Sequence, residues 1–89
     1  MEMQHPNHLT KYQGSIEELV SELGNLRYDN LVDFLNKMGD DLMRQAARDR
    51  EKGRVQLVSQ LEAAAQKLYE ARDKMQCAWK ISEPYMKYD

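Results

Sequence analysis

Apolar residues recur along the chain at the spacing of amphipathic helices. In the first of three such segments they form one stripe at i, i+3, i+4 and i+7: Ile16, Leu19, Val20 and Leu23. Ser15 opens this segment with a capping box, in which the Ser15 hydroxyl and the Glu18 carboxylate each bind a backbone N–H that the helix leaves free. The pattern predicts a short helix over residues 15–24 that ends with Gly24 in the left-handed conformation.

A second helical pattern covers residues 27–50. Its main stripe has spacings of 3, 4, 3 and 4: Tyr28, Leu31, Leu35, Met38 and Leu42. Gly39 lies inside this stretch, where a glycine costs about 1 kcal/mol relative to alanine. Gly39 and Asp40 could instead end one helix and begin another. We favour a continuous helix because the apolar pattern passes through Gly39 without a change of phase.

The third pattern, over residues 54–82, is the most regular. Its main stripe alternates small and large side chains: Leu57, Leu61, Ala64, Leu68, Ala71, Met75 and Ala78. Such alternation is typical of a closely packed antiparallel helix pair, and it predicts that Ala71→Leu overpacks the contact. Val58, Ala65 and Trp79 form an adjacent stripe, which indicates more than one neighbour. Pro84 is expected to end the helix.

The connection between the second and third helices depends on Gly53. A left-handed glycine at this position would produce a tight helical hairpin. The alternative is one helix over residues 28–81, about 80 Å long. We favour the hairpin because the apolar pattern fades between Asp49 and Gly53 and restarts at Leu57.

These elements predict an all-α protein with a short N-terminal helix and a long antiparallel helical hairpin. Residues 1–14 are expected to form a mostly irregular arm, and residues 83–89 a tail that packs on the bundle or on a partner. With 4 glycines and 2 prolines, the chain has few residues for the turns of a many-stranded β fold. The single cysteine, Cys77, excludes an intrachain disulfide.

The predicted helices are too long for a compact globule of 89 residues. A compact chain of this length spans roughly 30 Å, whereas the two long helices would measure about 36 and 42 Å. We therefore expect a homodimer in which two hairpins form a helix bundle. The alternative is a three-helix monomer whose tail folds back over the hairpin. The residues expected at an oligomer or partner interface are Leu57, Leu61, Ala64, Leu68, Ala71, Met75, Trp79 and Tyr85.

Catalytic, cofactor and metal chemistry is not indicated. His5 and His8 are separated by three positions, but Pro6 lies between them and no third ligand is near. Cys77 is expected near a helix C-terminus, which disfavours the reactive thiolate. No stretch is long and apolar enough to cross a membrane and no signal peptide is visible, so a cytoplasmic location is expected.

Charge is distributed unevenly along the chain. Acidic residues dominate positions 17–41, and a basic run follows: Arg44, Arg48, Arg50, Lys52 and Arg54. The run could bind the phosphates of a nucleic acid. Asp40 is placed to pair with Arg44, however, and no aromatic residue accompanies the run for base stacking. Salt bridges in solvent or with the acidic segment of a second copy are the favoured interpretation.

The C-terminal segment is aromatic, with Trp79, Tyr85 and Tyr88 near Met86. Such residues are favoured at interfaces, so the cluster is expected to pack on the bundle or on a second copy, or to dock another protein. The sequence thus favours a non-enzymatic, homo-oligomeric adaptor or regulatory module. The alternative is a nucleic-acid-binding protein that uses the basic run.

Overall fold

The computed structural model describes residues 5–86, for Met86 the backbone alone. Three helices follow one another: α1 (Ile16–Gly24), α2 (Tyr28–Glu51) and α3 (Val55–Met86). Helices α2 and α3 form an antiparallel hairpin, whereas α1 makes no comparably extensive contact with either of them in the described part of the chain. The all-α hairpin architecture predicted from the sequence is confirmed.

Helix α1 begins with the predicted capping box. Glu18 N–H donates to the Ser15 hydroxyl at 3.0 Å, and Ser15 N–H donates to the Glu18 carboxylate at 2.9 Å. These bonds lower the pKa of Glu18. The prediction of a left-handed Gly24 is wrong. Gly24 remains helical, and Asn25 ends the helix with φ of −93° while its N–H donates to Ser21 and Glu22 carbonyls, which tightens the last turn.

Helix α2 is continuous through Gly39, as predicted. Gly39 is buried against α3, where the ring of Tyr69 occupies the space that a side chain would need. A Cβ atom at position 39 would lie 2.5 Å from Tyr69 Cε1. The helix and its apolar pattern continue through Gly39. The missing side chain of Gly39 leaves room for the Tyr69 ring of the neighbouring helix.

The hairpin turn is built on Gly53, the one residue of the described chain with a glycine-type positive φ, at 73°. Gly53 N–H donates to Arg50 O at 3.0 Å and Arg54 N–H donates to Asp49 O at 3.0 Å. These two bonds form a Schellman motif. The side chains of Asp49 and Arg54, which in this motif are often apolar, instead form an ion pair at 3.2 Å.

Helix α3 does not end before Pro84, and that prediction is wrong: the helix continues to Met86 with Pro84 in its last turn. Proline at this position removes the N–H that would bond to Lys80 O, and its ring crowds that carbonyl. Lys80 and the segment 83–85 are exposed, so water can satisfy that carbonyl. Tyr85 is 79% exposed, so this part of the tail is not buried on its own hairpin, and packing of the tail on a partner stays a prediction. Tyr88 lies outside the described residues.

The register of the hairpin leaves the end of α3 beyond the first residue of α2. Asn36 binds Arg72 and Asp40 binds Tyr69, which sets these residues level across the hairpin. The same register places Tyr28, the first residue of α2, level with Lys80. The last turns of α3 therefore extend beyond α2, and the molecule measures 52 × 29 × 14 Å.

Candidate functional site

The most deeply buried residues at the contact between α2 and α3 are small. The hydrophobic residues buried there are Ala46, Val58 and Ala65, exposed by 1, 3 and 0%. The alanines predicted at the close contact, Ala64 and Ala71, are exposed instead. The interpretation of the stripe that contains them as the hairpin contact is therefore wrong by one helical position. The stripe of Val58 and Ala65 is the one that packs on α2.

One side of this hairpin contact is polar. Three side-chain pairs bridge α2 and α3 on this side: Tyr69 Oη donates to Asp40 Oδ1 at 2.6 Å, Arg72 Nη1 to Asn36 Oδ1 at 2.5 Å and Arg50 Nη2 to Glu62 Oε2 at 2.7 Å. The Arg72 guanidinium also stacks 4.8 Å from the centre of the Tyr69 ring. We call these six residues the polar side.

The bridges affect the pKa of Tyr69 and the hydrogen-bond partners of Asp40. The hydrogen bond to Asp40 raises the pKa of Tyr69 above its ordinary value. The carboxylate accepts a hydrogen bond from the protonated phenol, and this bond would be lost in the phenolate. Asp40 is thus occupied by Tyr69 and also accepts from Asn36. The predicted Asp40–Arg44 pair is absent, and Arg44 binds Asp41 at 3.2 Å instead.

The opposite side of the hairpin is apolar. Helical geometry of 100° per residue puts two rows on this side, one from each helix. We call them together the apolar face: Leu31 and Met38 of α2, and Leu57, Ala64, Ala71 and Ala78 of α3. Met38 and Leu57 are 46 and 44% exposed, and Ala64 and Ala71 are also exposed.

The remaining interface residues predicted from the sequence divide into two groups. Leu61, Leu68 and Met75 are half-buried along the inner edge of the apolar face. Trp79 is half-buried near the start of α2, where the Arg27 guanidinium lies 5.4 Å from its ring centre. Arg27 is held in place by two hydrogen bonds to Asp29, which lower the pKa of that carboxyl. Trp79 is therefore partly covered by its own chain.

The overhanging end of α3 carries two large exposed side chains. Ile81 is 73% exposed and Tyr85 is 79% exposed. They are four residues apart and lie on one stripe of the helix. Of the described members of the C-terminal aromatic cluster, Tyr85 is exposed, whereas Trp79 is half-buried beside Arg27.

The basic run at the hairpin tip is partly neutralised. Arg44 binds Asp41, Arg50 binds Glu62 and Arg54 binds Asp49. Among the described residues, no ion pair includes Arg48 or Lys52. These two side chains, together with Arg54, line a cavity of about 300 Å³ that also includes His5, Gln45 and Asp49.

The presence of His5 in this cavity was not expected from the sequence. His5 is exposed, as an ordinary histidine in an irregular arm would be, but the arm contains no periodic pattern that would place it at the hairpin tip. The structure brings the arm to the hairpin tip, so that His5 lines the same cavity as three cationic side chains and one carboxylate. The arm is also attached to α1, because Tyr12 Oη donates to Glu22 Oε2 at 2.6 Å and this bond raises the pKa of Tyr12.

Other chemistry is sparse in the part of the chain that the structure describes. No group of three or more histidine, cysteine or acidic side chains is placed to hold a metal ion within residues 5–86. None of the described helices combines the length and apolar character needed to span a bilayer. Cys77 is exposed. No protein-family model, curated protein or solved structure matches the chain.

Proposed function

We propose that the protein is a non-enzymatic, homo-oligomeric helical module that acts as an adaptor or regulator through protein–protein contacts. One observation carries the proposal: among the described residues, no large side chain is fully buried. The buried hydrophobic residues are Ala46, Val58 and Ala65. A single copy thus leaves the large apolar side chains of its described residues half-buried or exposed, and hydrophobic burial is the main favourable contribution to folding.

The dimensions of the chain give the size of this deficit. Its accessible surface is 7408 Å², compared with about 5,400 Å² for a compact monomer of the same mass. Its radius of gyration is 16.1 Å, compared with about 12 Å for a compact chain of this length. Small domains without disulfides or metals commonly obtain the missing burial from oligomerisation, which supports a homodimer.

The dependence of stability on protein concentration tests this proposal. If folding and association are coupled, the urea midpoint should rise as the concentration increases from about 1 to about 100 μM, because mass action favours the associated state. The expected readout is the midpoint of helix loss by circular dichroism. A midpoint that stays constant over this range would contradict a homo-oligomer formed on folding.

The adaptor role is supported by Ile81 and Tyr85. These side chains lie beyond the end of α2, so a bundle formed by two hairpins leaves them available to another protein. Capture of partners from the native cell should be reduced by the double variant Ile81→Ser/Tyr85→Ser, and equal capture would contradict this docking site.

A cytoplasmic location is part of the proposal and fits an exposed, unpaired Cys77.

Nucleic-acid binding by the hairpin tip is the second candidate function, and the cavity lined by Arg48, Lys52 and Arg54 favours it. Arginine and lysine side chains bind phosphate oxygens, with an affinity that falls as salt concentration rises. In a gel-shift assay at low salt, Arg48→Gln and Lys52→Gln should each weaken retardation of a short duplex. Arg44→Gln is the matched control because Arg44 binds Asp41 and does not line the cavity. Absence of retardation by the unmodified protein would exclude this function.

A further inference from the structure

We infer that the cavity at the hairpin tip binds the terminal phosphate group of a small phosphorylated molecule, through Arg48, Lys52 and Arg54 of the hairpin and His5 of the N-terminal arm. We call this space the tip cavity. It is the cavity of the second candidate function, to which the inference assigns a different ligand. The proposed homo-oligomer is not required, because the described residues that line the tip cavity belong to one chain.

The hairpin brings the polar side chains of the tip cavity together from two short segments. Four of them form a row at i, i+3, i+4 and i+7 on one side of the end of α2: Gln45, Arg48, Asp49 and Lys52. The left-handed turn at Gly53 then reverses the chain and places Arg54 beside this row, where it binds Asp49 at 3.2 Å. The arm supplies His5 as a lining residue from outside the hairpin.

Several donors in the tip cavity are not used within the described chain. No side-chain hydrogen bond or ion pair within residues 5–86 includes Arg48 or Lys52. The nearby carboxylate of Asp41 already accepts from Arg44 and Gln45. An arginine can bind two oxygens of one phosphate with its planar guanidinium, and a lysine adds a point charge. These are the groups that phosphate recognition requires.

The charge of the tip cavity matches a terminal phosphate. The described lining residues carry three positive charges and one negative charge, a net charge of +2 with histidine counted as neutral. A phosphate monoester carries about −1.5 to −2 at pH 7. A phosphodiester of a nucleic-acid backbone carries one negative charge at each phosphate. The monoester is therefore the better match for a single cavity of this charge.

The rest of the basic run does not extend the site along a nucleic-acid backbone. Arg44 binds Asp41 and Arg50 binds Glu62, so the cationic side chains without an ion pair among the described residues of the run are those of the tip cavity. Nucleic-acid binding usually neutralises several phosphates in succession. The volume of about 300 Å³ lies at the lower end of the range for small-molecule sites. A small molecule with one phosphate fits these dimensions.

Methyl phosphate and dimethyl phosphate form a matched pair of probes, because they differ by one methyl group and by the second negative charge. We expect the unmodified protein to bind methyl phosphate at least about tenfold more tightly at pH 7.5 and low salt, since the second charge has cationic partners in the tip cavity. Titrations followed by the amide resonances in nuclear magnetic resonance spectra measure both affinities. The largest shifts should occur at residues 48–54 and at His5.

Variants then test which residues bind the phosphate. Arg48→Gln and Lys52→Gln should each raise the dissociation constant of methyl phosphate about tenfold, and His5→Gln about threefold or more. Lys37→Gln is the control because Lys37 lies 15 positions before Lys52 in the sequence and binds Asp33 at 2.8 Å. Its dissociation constant should change by less than about threefold. Circular dichroism confirms that each variant is folded.

The outcomes distinguish this site from the proposed functions. Equal affinity for the two probes, or shifts that do not centre on residues 48–54, would overturn the inference without the use of any variant. An unchanged affinity in His5→Gln would overturn the assignment of the arm to the site. A short duplex without terminal phosphates that binds while methyl phosphate does not would overturn the inference in favour of the second candidate function. The homo-oligomer has its own test in the concentration dependence of the urea midpoint.

Discussion

At the scale of single residues, Gly39 sets how closely the two long helices approach. Its missing side chain accommodates the Tyr69 ring, which is held from two directions by the hydrogen bond to Asp40 and by the Arg72 guanidinium. A ring fixed in this way cannot swing aside easily. The glycine therefore costs helix propensity in α2 and makes possible a polar bridge between α2 and α3.

Replacing Gly39 by alanine should destabilise the protein by about 1–2 kcal/mol. The new Cβ atom would lie 2.5 Å from Tyr69 Cε1, and such overpacking typically costs about 1–3 kcal/mol, of which the better helix propensity of alanine recovers part. Gly24→Ala is the matched control, because no atom of a neighbour lies within 4 Å of a Cβ atom there. Urea unfolding measures both. If Gly39→Ala proved as harmless as Gly24→Ala, Tyr69 would not be seated against Gly39.

At the scale of elements, the hairpin was largely predictable from the sequence, whereas the packed face of α3 was not. The two candidate rows of α3 differ by one residue, and the row that packs on α2 contains Arg72 between Ala65 and Trp79. A charged residue in the middle of a row argues against burial unless it is paired. Its partner, Asn36, lies 36 positions away in the chain, so the periodicity of α3 alone could not identify it.

Two other features were not predicted from the sequence, because they depend on the path of the N-terminal arm and on the end of a helix. The position of His5 beside the hairpin tip is set by the path of an irregular arm, which has no periodic signal. Pro84 was expected to end α3, but a proline in the last turn removes one hydrogen bond that exposed backbone can replace with water. By contrast, the capping box at Ser15 and the left-handed Gly53 are local features, and local sequence was sufficient to predict both.

The turn at Gly53 yields a prediction at the scale of the element. Gly53 has φ of 73° and no atom of a neighbour within 4 Å of a Cβ atom built there, so alanine would be penalised by backbone conformation alone. We expect Gly53→Ala to lower the free energy of unfolding by about 1–2 kcal/mol. Lys52→Ala, at the adjacent position with φ of −91°, should have little effect. Equal effects of the two substitutions in urea unfolding would contradict the left-handed turn.

At the scale of the whole molecule, the hairpin has two unlike sides. The polar side joins α2 to α3 with side-chain bridges and fixes their register. The apolar face exposes Met38 of α2 and Leu57, Ala64 and Ala71 of α3.

Sedimentation equilibrium of the unmodified protein at micromolar concentration tests this account most directly, because the measured mass does not depend on molecular shape. The account predicts a mass of twice the 10.5 kDa of the chain. Dilution should shift the mass toward that of one chain together with loss of helix, since the hairpin has almost no large buried side chains of its own. A single species of 10.5 kDa that remains fully helical at all concentrations would contradict the central claim.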